Sequence, residues 1–166
     1  MRNPAEELAK ELLARRWKLA VAESCTGGGL GAKITATPGS SAYFLGGIIA
    51  YDNRVKRELL GVPEAVFAEA GAVSRPAAEA MATGCLTRLG ADVAVSITGI
   101  AGPGGGTPDK PVGLVYIAVA TRRGVVSEER RLPGNRAAVR REAARAALRL
   151  ALAAVRDSVE APPTVP

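Results

Sequence analysis

Apolar positions recur along the chain with two periods, one helical and one strand-like, and the changes between them mark out the elements. Leu8, Ala9, Leu12 and Leu13 form one stripe of a helix that Asn3 caps and Pro4 opens, with Glu6 and Glu7 in its first turn. Residues 17–22 are a short apolar run that predicts a buried strand. Residues 30–36 predict a helix, stopped by Thr37-Pro38-Gly39-Ser40-Ser41. Residues 44–51 predict a second strand, in which Gly46 and Gly47 mark a bulge or a close approach. Helices follow from Asn53 to near Gly61, over 63–70, and over 75–89, the last capped by Ser74. Inside that last helix Gly84 marks close packing and Cys85 reads as a small core residue. The run 92–97, with its Val-Ala-Val-Ser-Ile core, is the clearest buried strand. Residues 112–121 and 125–132 alternate as two strands around Arg122-Arg123-Gly124, and 136–155 is a closing helix. Its packed face is expected at Ala138, Val139, Ala146, Leu150 and Ala153.

Strands alternating with helices specify an α/β protein, and the hairpin makes its sheet mixed rather than purely parallel. At 166 residues the chain fits one domain, expected over 1–156, followed by a proline-rich, disordered tail over 157–166. Hydrophobic residues make up 48% but aromatics only 4%, so the core is built of alanine and branched aliphatics rather than stacked rings. The start Met1-Arg2-Asn3-Pro4 is no signal peptide, and no charge-free apolar run reaches the ~18 residues of a membrane span. A cytoplasmic protein is expected.

Charge and residue types narrow the chemistry. The net charge of +6 is concentrated between Arg122 and Arg156, which hold ten arginines against three acids. Those arginines fall all around the last helix, and no helix-turn-helix or aromatic platform accompanies them, so a nucleic-acid partner is not expected. There is no histidine. That excludes a Ser-His-Asp triad, a Cys-His dyad and histidine-bearing metal sites. Cys25 and Cys85 have no metal-ligand spacing, so no metal is expected, and no cofactor either.

Three stretches remain as candidate chemistry. Ala22-Glu23-Ser24-Cys25-Thr26-Gly27-Gly28-Gly29 links the first strand to the next helix, so free backbone N–H groups and the Ser24 and Thr26 hydroxyls gather at a strand end. Tyr51 and Lys56 lie at the next strand end and on the first turn of the helix beginning at Asn53. The loop from Thr98 to Pro111, rich in glycine, hangs between two strands and lacks the lysine-serine ending of a P-loop. Arg136 and Arg140 lie one turn apart at the start of the last helix, where the dipole and the guanidinium groups together favour a phosphate.

Five motifs in order carry a resemblance over nearly the whole chain. They are Ala22-Glu23-Ser24-Cys25-Thr26-Gly27-Gly28, Tyr51-x-Asn53-x-x-Lys56, Gly71-Ala72-Val73-Ser74, the run from Ile97 to Gly105, and Gly134-Asn135-Arg136 with Val139-Arg140. Together they resemble the CinA C-terminal domain family, which commonly has aspartate where Asn135 stands. The resemblance implies a three-layer α/β/α sandwich with a mixed, mainly parallel sheet. It also implies hydrolysis of nicotinamide mononucleotide to nicotinate mononucleotide and ammonia in pyridine-nucleotide salvage. The expected catalytic residues are Ser24 as nucleophile, Lys56 as its base and Tyr51 as relay. Substrate contacts are expected from Thr26, Gly27, Gly28, Asn53, Thr98, Gly99, Gly102, Gly104, Arg136 and Arg140, with oxyanion donors around Thr26 and Gly27 and the phosphate on Arg136. Arg75-Pro76 replaces acidic residues often found there, and the additional N-terminal domain of many relatives is expected to be absent. The expected partners are a small-molecule nucleotide and further copies of the chain, as a dimer or trimer, with no membrane. Two rival readings are a pyridine-nucleotide sensor without activity, which an intact Ser24, Tyr51 and Lys56 argue against, and a regulatory partner in DNA uptake or repair.

Overall fold

The computed structural model describes residues 2–158. Five strands, β1 (Leu19–Glu23), β2 (Phe44–Ile49), β3 (Val93–Gly99), β4 (Leu114–Thr121) and β5 (Gly124–Arg131), form one sheet in the order β2-β1-β3-β4-β5. β2, β1 and β3 run parallel, and β4 and β5 complete the sheet as antiparallel neighbours joined by the Arg122-Arg123 turn. Side chains alternate across each strand, so odd and even positions build separate cores. Leu19, Val21, Val95, Ile97, Ile117 and Val119 pack beneath α1 (Pro4–Arg15), α2 (Gly29–Thr35) and α6 (Arg136–Asp157). Ala20, Ala22, Ala94, Ala118 and Ala120 face α5 (Arg75–Leu89), with α3 (Asn53–Leu60) and α4 (Glu64–Glu69) beside it. The small residues on that second face let α5 lie close to the sheet.

Local chemistry explains the boundaries. Asn3, Asp52, Ser74 and Asn135 each accept a backbone N–H at a helix start. The Gly46-Gly47 pair serves both purposes expected of it. Pairing with β1 skips Leu45, Gly46 sits at φ +124°, and a Cβ on Gly47 would overlap the Val21 carbonyl oxygen.

Several details differ from expectation. β1 begins at Leu19, because Trp17 and Lys18 belong to the connection from α1, which Arg16 closes at φ 56°. β4 begins at Leu114, since Gly113 takes a positive φ and its N–H is held by the Ile100 carbonyl. Leu13 is half exposed rather than packed. On α6 the buried face runs through Val139, Ala143, Ala147, Ala151 and Val155, and Ala153 is exposed. Two residues of the tail expected from 157 are ordered instead: α6 includes Asp157, and Ser158 is buried with its hydroxyl on the Ala154 carbonyl. The rest of that tail, 159–166, lies outside the described residues. Among the described residues no helix is long and apolar enough to cross a membrane.

The close packing at Gly84 yields a stability prediction. A Cβ there would overlap the Leu60 carbonyl oxygen, a backbone atom that cannot swing away. Gly84→Ala is therefore expected to destabilise by about 1–3 kcal/mol, outweighing the ~1 kcal/mol that alanine gains over glycine in a helix. Urea unfolding monitored by circular dichroism checks this: the midpoint falls with the slope unchanged.

Candidate active site

β1 ends at Glu23, and the chain turns through Ser24 to Gly28 before α2 begins. Gly27 at φ +57° and Gly28 at φ +105° make the turn possible. The alternation that sends Ala20 and Ala22 to the α3–α5 side carries Ser24 there too. A cavity of about 210 Å³ opens at that point. Ser24, Tyr51, Asn53, Lys56, Thr98, Gly99 and Arg136, all expected at the site, line it together with Cys25, Ala72, Val73 and Ala101.

Lys56 is the most unusual member. It is only 2% exposed, and its ammonium nitrogen donates to the Tyr51 carbonyl at 3.0 Å. Burial pushes its pKa below the ordinary lysine value, and nearby Asp52 only partly opposes this. Asp52 caps α3 through the Arg54 N–H at 2.7 Å, so α3 starts at Asn53 and its first turn aims Lys56 inward. The Tyr51 side chain goes elsewhere. Its ring is 61% exposed, and its hydroxyl accepts from Arg136 at 3.2 Å. Arg136 also donates to the Gly102 carbonyl at 2.8 Å, so one guanidinium joins the β2 end to the glycine loop across the cavity mouth. Both of its acceptors are neutral, and an anion would be the stronger partner.

Thr98 is buried and its hydroxyl donates to the Ala72 carbonyl at 2.8 Å, tying β3 to the segment before α5. A Cβ on Gly99 would lie 2.7 Å from Val115 Cγ2 and 2.8 Å from the Leu114 carbonyl oxygen. The loop after it is held at both ends: the Ile100 N–H donates to Leu114, and Lys110 reaches the Ala70 carbonyl.

Other expected contacts fall outside the cavity. Arg140 is committed to the turn itself, donating to the Cys25 and Thr26 carbonyls at 3.1 and 3.0 Å, so it braces the backbone. Gly104 stands in open space on the exposed part of the loop, and Gly102 contributes only its carbonyl, to Arg136. The Gly27 N–H is engaged by the Ser24 carbonyl at 3.0 Å and the Gly28 N–H by the Glu23 carboxylate at 3.2 Å, which removes both as ligand donors. The Thr26 hydroxyl is buried without a partner, and Thr26 lines the groove between α2 and α6 rather than the Ser24 cavity. Among the described residues, the N–H groups of Cys25 and Thr26 donate to no other atom, and buried N–H groups without partners are rare. Cys25 borders the cavity while packing into the apolar core, and burial pushes its thiol up to about 11.

The pattern defining the CinA C-terminal domain matches residues 1–155. The chain belongs to the CinA C-terminal domain family. It is 56% identical over 141 residues to a CinA-like protein of Mycolicibacterium vanbaalenii, a match spanning 84% of this chain and 33% of that protein. It is 48% identical over 147 residues to a putative competence-damage inducible protein of Desulforudis audaxviator, spanning 89% and 36%. The chain thus spans about a third of the length of these curated relatives. Among solved structures, a CinA superfamily protein from Klebsiella pneumoniae superposes with a TM-score of 0.88 at 35% identity, over 94% of this chain and 99% of that one. A competence/damage inducible protein from Agrobacterium tumefaciens gives 0.85 at 41% identity, over 94% and 98%. These family members share the mixed five-stranded α/β fold.

Ala72 and Val73 were not among the expected site residues, although both lie in a family motif. Small apolar side chains carry no chemical signature in a sequence. Their place was legible only through the bend before Ser74, whose hydroxyl donates to the Gly71 carbonyl and accepts from the Ala77 N–H.

Proposed function

We propose that the chain hydrolyses the carboxamide of nicotinamide mononucleotide, releasing nicotinate mononucleotide and ammonia. The observation that carries this reading is the meeting of Ser24 and a buried Lys56 of lowered pKa at one cavity, in a chain without histidine. Neutral Lys56 takes the Ser24 proton as Oγ attacks the amide carbon. The carbonyl oxygen becomes an oxyanion and accepts from the free N–H groups of Cys25 and Thr26. When the tetrahedral intermediate collapses, the Lys56 ammonium gives its proton to the departing nitrogen, ammonia leaves and an ester to Ser24 remains. Water then attacks the ester, Lys56 again takes the proton, and Ser24 is regenerated. Arg136, at the mouth, exchanges its neutral acceptors for the phosphate, which frees the Tyr51 hydroxyl to turn toward the reacting groups.

The test is incubation of the protein with nicotinamide mononucleotide and assay of ammonia and the acid product. One equivalent of each is expected per turnover. Because the proposed steps use serine, lysine and backbone N–H groups only, the rate is expected to survive excess EDTA. Activity that vanished with EDTA and returned with a divalent ion would overturn the serine route.

A further inference from the structure

Glu23 immediately precedes Ser24, and it is a fully buried carboxylate in a layer that is otherwise apolar, only 1% exposed. One carboxylate oxygen accepts from the Gly28 N–H at 3.2 Å and the Leu30 N–H at 2.8 Å, and the other from the Gly31 N–H at 3.0 Å. Three charge-assisted hydrogen bonds offset the desolvation that makes a lone buried carboxylate so costly. The backbone on either side is gripped as well. The Glu23 carbonyl accepts from Ala50 at 2.7 Å, one residue before Tyr51, and the Ser24 N–H donates to Ile97 at 3.0 Å, one residue before Thr98.

These contacts enclose the turn. The strand ends of β2 and β3 hold its entrance, and the Glu23 side chain spans the loop to hold its exit at α2. Between those clamps lie Ser24 and the unpartnered N–H groups of Cys25 and Thr26. We propose that Glu23 is a positioning residue: its carboxylate fixes the Ser24–Thr26 turn in the conformation that sets the nucleophile against its oxyanion donors. It also answers the N–H groups at the start of α2 from within the chain, so these are closed to substrate. An aspartate is one methylene too short to span the loop. The reach from the end of β1 to the amides of Gly28, Leu30 and Gly31 therefore requires glutamate.

This proposal rests on the amidase reading, and the experiment separates the two. In Glu23→Gln the amide retains an oxygen for Gly28 and Leu30 but opposes a donor to the Gly31 N–H. Expected are a folded protein, a KM for nicotinamide mononucleotide within about threefold of wild type, and a kcat lower by about a hundredfold, since displacements of ~1 Å at reacting groups cost that much. Glu23→Asp is expected to lose as much. In Glu23→Ala, formate enters the vacated space and raises kcat at least about tenfold, and it leaves wild type unchanged. Variants with kcat within about twofold of wild type would overturn the proposal, as would losses that formate does not reverse in Glu23→Ala. If wild type itself shows no turnover, the amidase reading fails alone. Hydrogen exchange then decides the positioning role. Faster exchange in Glu23→Gln confined to the backbone between Ser24 and Gly31 supports it, and exchange unchanged, or raised throughout the fold, overturns it.

Discussion

Ser24→Ala is expected to lower kcat by at least about 10⁴-fold, some 5.5 kcal/mol in barrier, while fold and substrate affinity stay close to wild type. Its position is the reason. Ser24 follows directly on a strand gripped on both sides, lines the cavity, and its hydroxyl makes no hydrogen bond among the described residues, so nothing in the resting state competes for it. Removing one oxygen leaves the turn intact, because the turn is held by the Ser24 backbone, Glu23 and Arg140. Cys25→Ala is the matched control. Cys25 borders the same cavity, but its thiol is pushed up to about 11 and is protonated at neutral pH. It is expected to cost about tenfold or less in turnover, with some stability lost from the core. Steady-state ammonia release and thermal unfolding on the three proteins check both statements.

Lys56→Met and Lys56→Arg are expected to be nearly equally damaging, each lowering kcat/KM by about 10²–10⁴-fold. A base must have a lone pair, and guanidinium keeps the charge but does not deprotonate. An arginine variant retaining most activity would show that position 56 supplies charge alone. Tyr51→Phe is expected to cost less than either, since the Tyr51 hydroxyl in the resting state pairs with Arg136 and not with Lys56. The pH dependence has a definite sign. Lys56 works as the neutral amine, so kcat/KM rises with pH through its ionisation and then levels off. Burial lowers that ionisation below the ordinary 10.5, so the plateau arrives at lower pH than for an exposed lysine. Folding gives an independent reading. Between the lowered native value and the ordinary unfolded one, the unfolded chain binds more protons at this residue, so wild type gains stability as pH rises. Lys56→Met lacks that term. The stability of wild type relative to Lys56→Met is therefore expected to rise with pH between the lowered native value and the ordinary lysine value.

The strand–turn–helix around Ser24 was legible because a buried apolar run, a glycine cluster and a new helical stripe follow one another without a gap. The start of α3 at Asn53 was legible for a similar reason, since it fixed where Lys56 would fall on the first turn. The burial of Lys56 was not: a lysine four residues into a short helix reads as solvated unless its neighbours are known. Glu23 was hidden the same way, because its three partners lie five to eight residues further on and are backbone groups, which no sequence pattern displays. Arg140 misled for the opposite reason. Its place on α6 suits a phosphate, but the packing of α6 against the Ser24 turn presents two carbonyls to it first. On α6 itself alanine occupies both buried and exposed positions, so periodicity lacked contrast, and the packed face was expected at Ala153 when Ala151 and Ala154 bear it. Long-range hydrogen bonding and packing of small residues decide these points, and neither leaves a local mark.

Covalent catalysis by Ser24 is tested by locating the acyl group during turnover. Protein mixed with nicotinamide mononucleotide is quenched in acid within the first turnovers, digested, and the peptides are weighed. A mass increase equal to the nicotinate mononucleotide acyl group is expected on Ser24, removable by hydroxylamine and absent from Ser24→Ala. An acyl group on Cys25, or undiminished ammonia release by Ser24→Ala, would contradict covalent catalysis by Ser24.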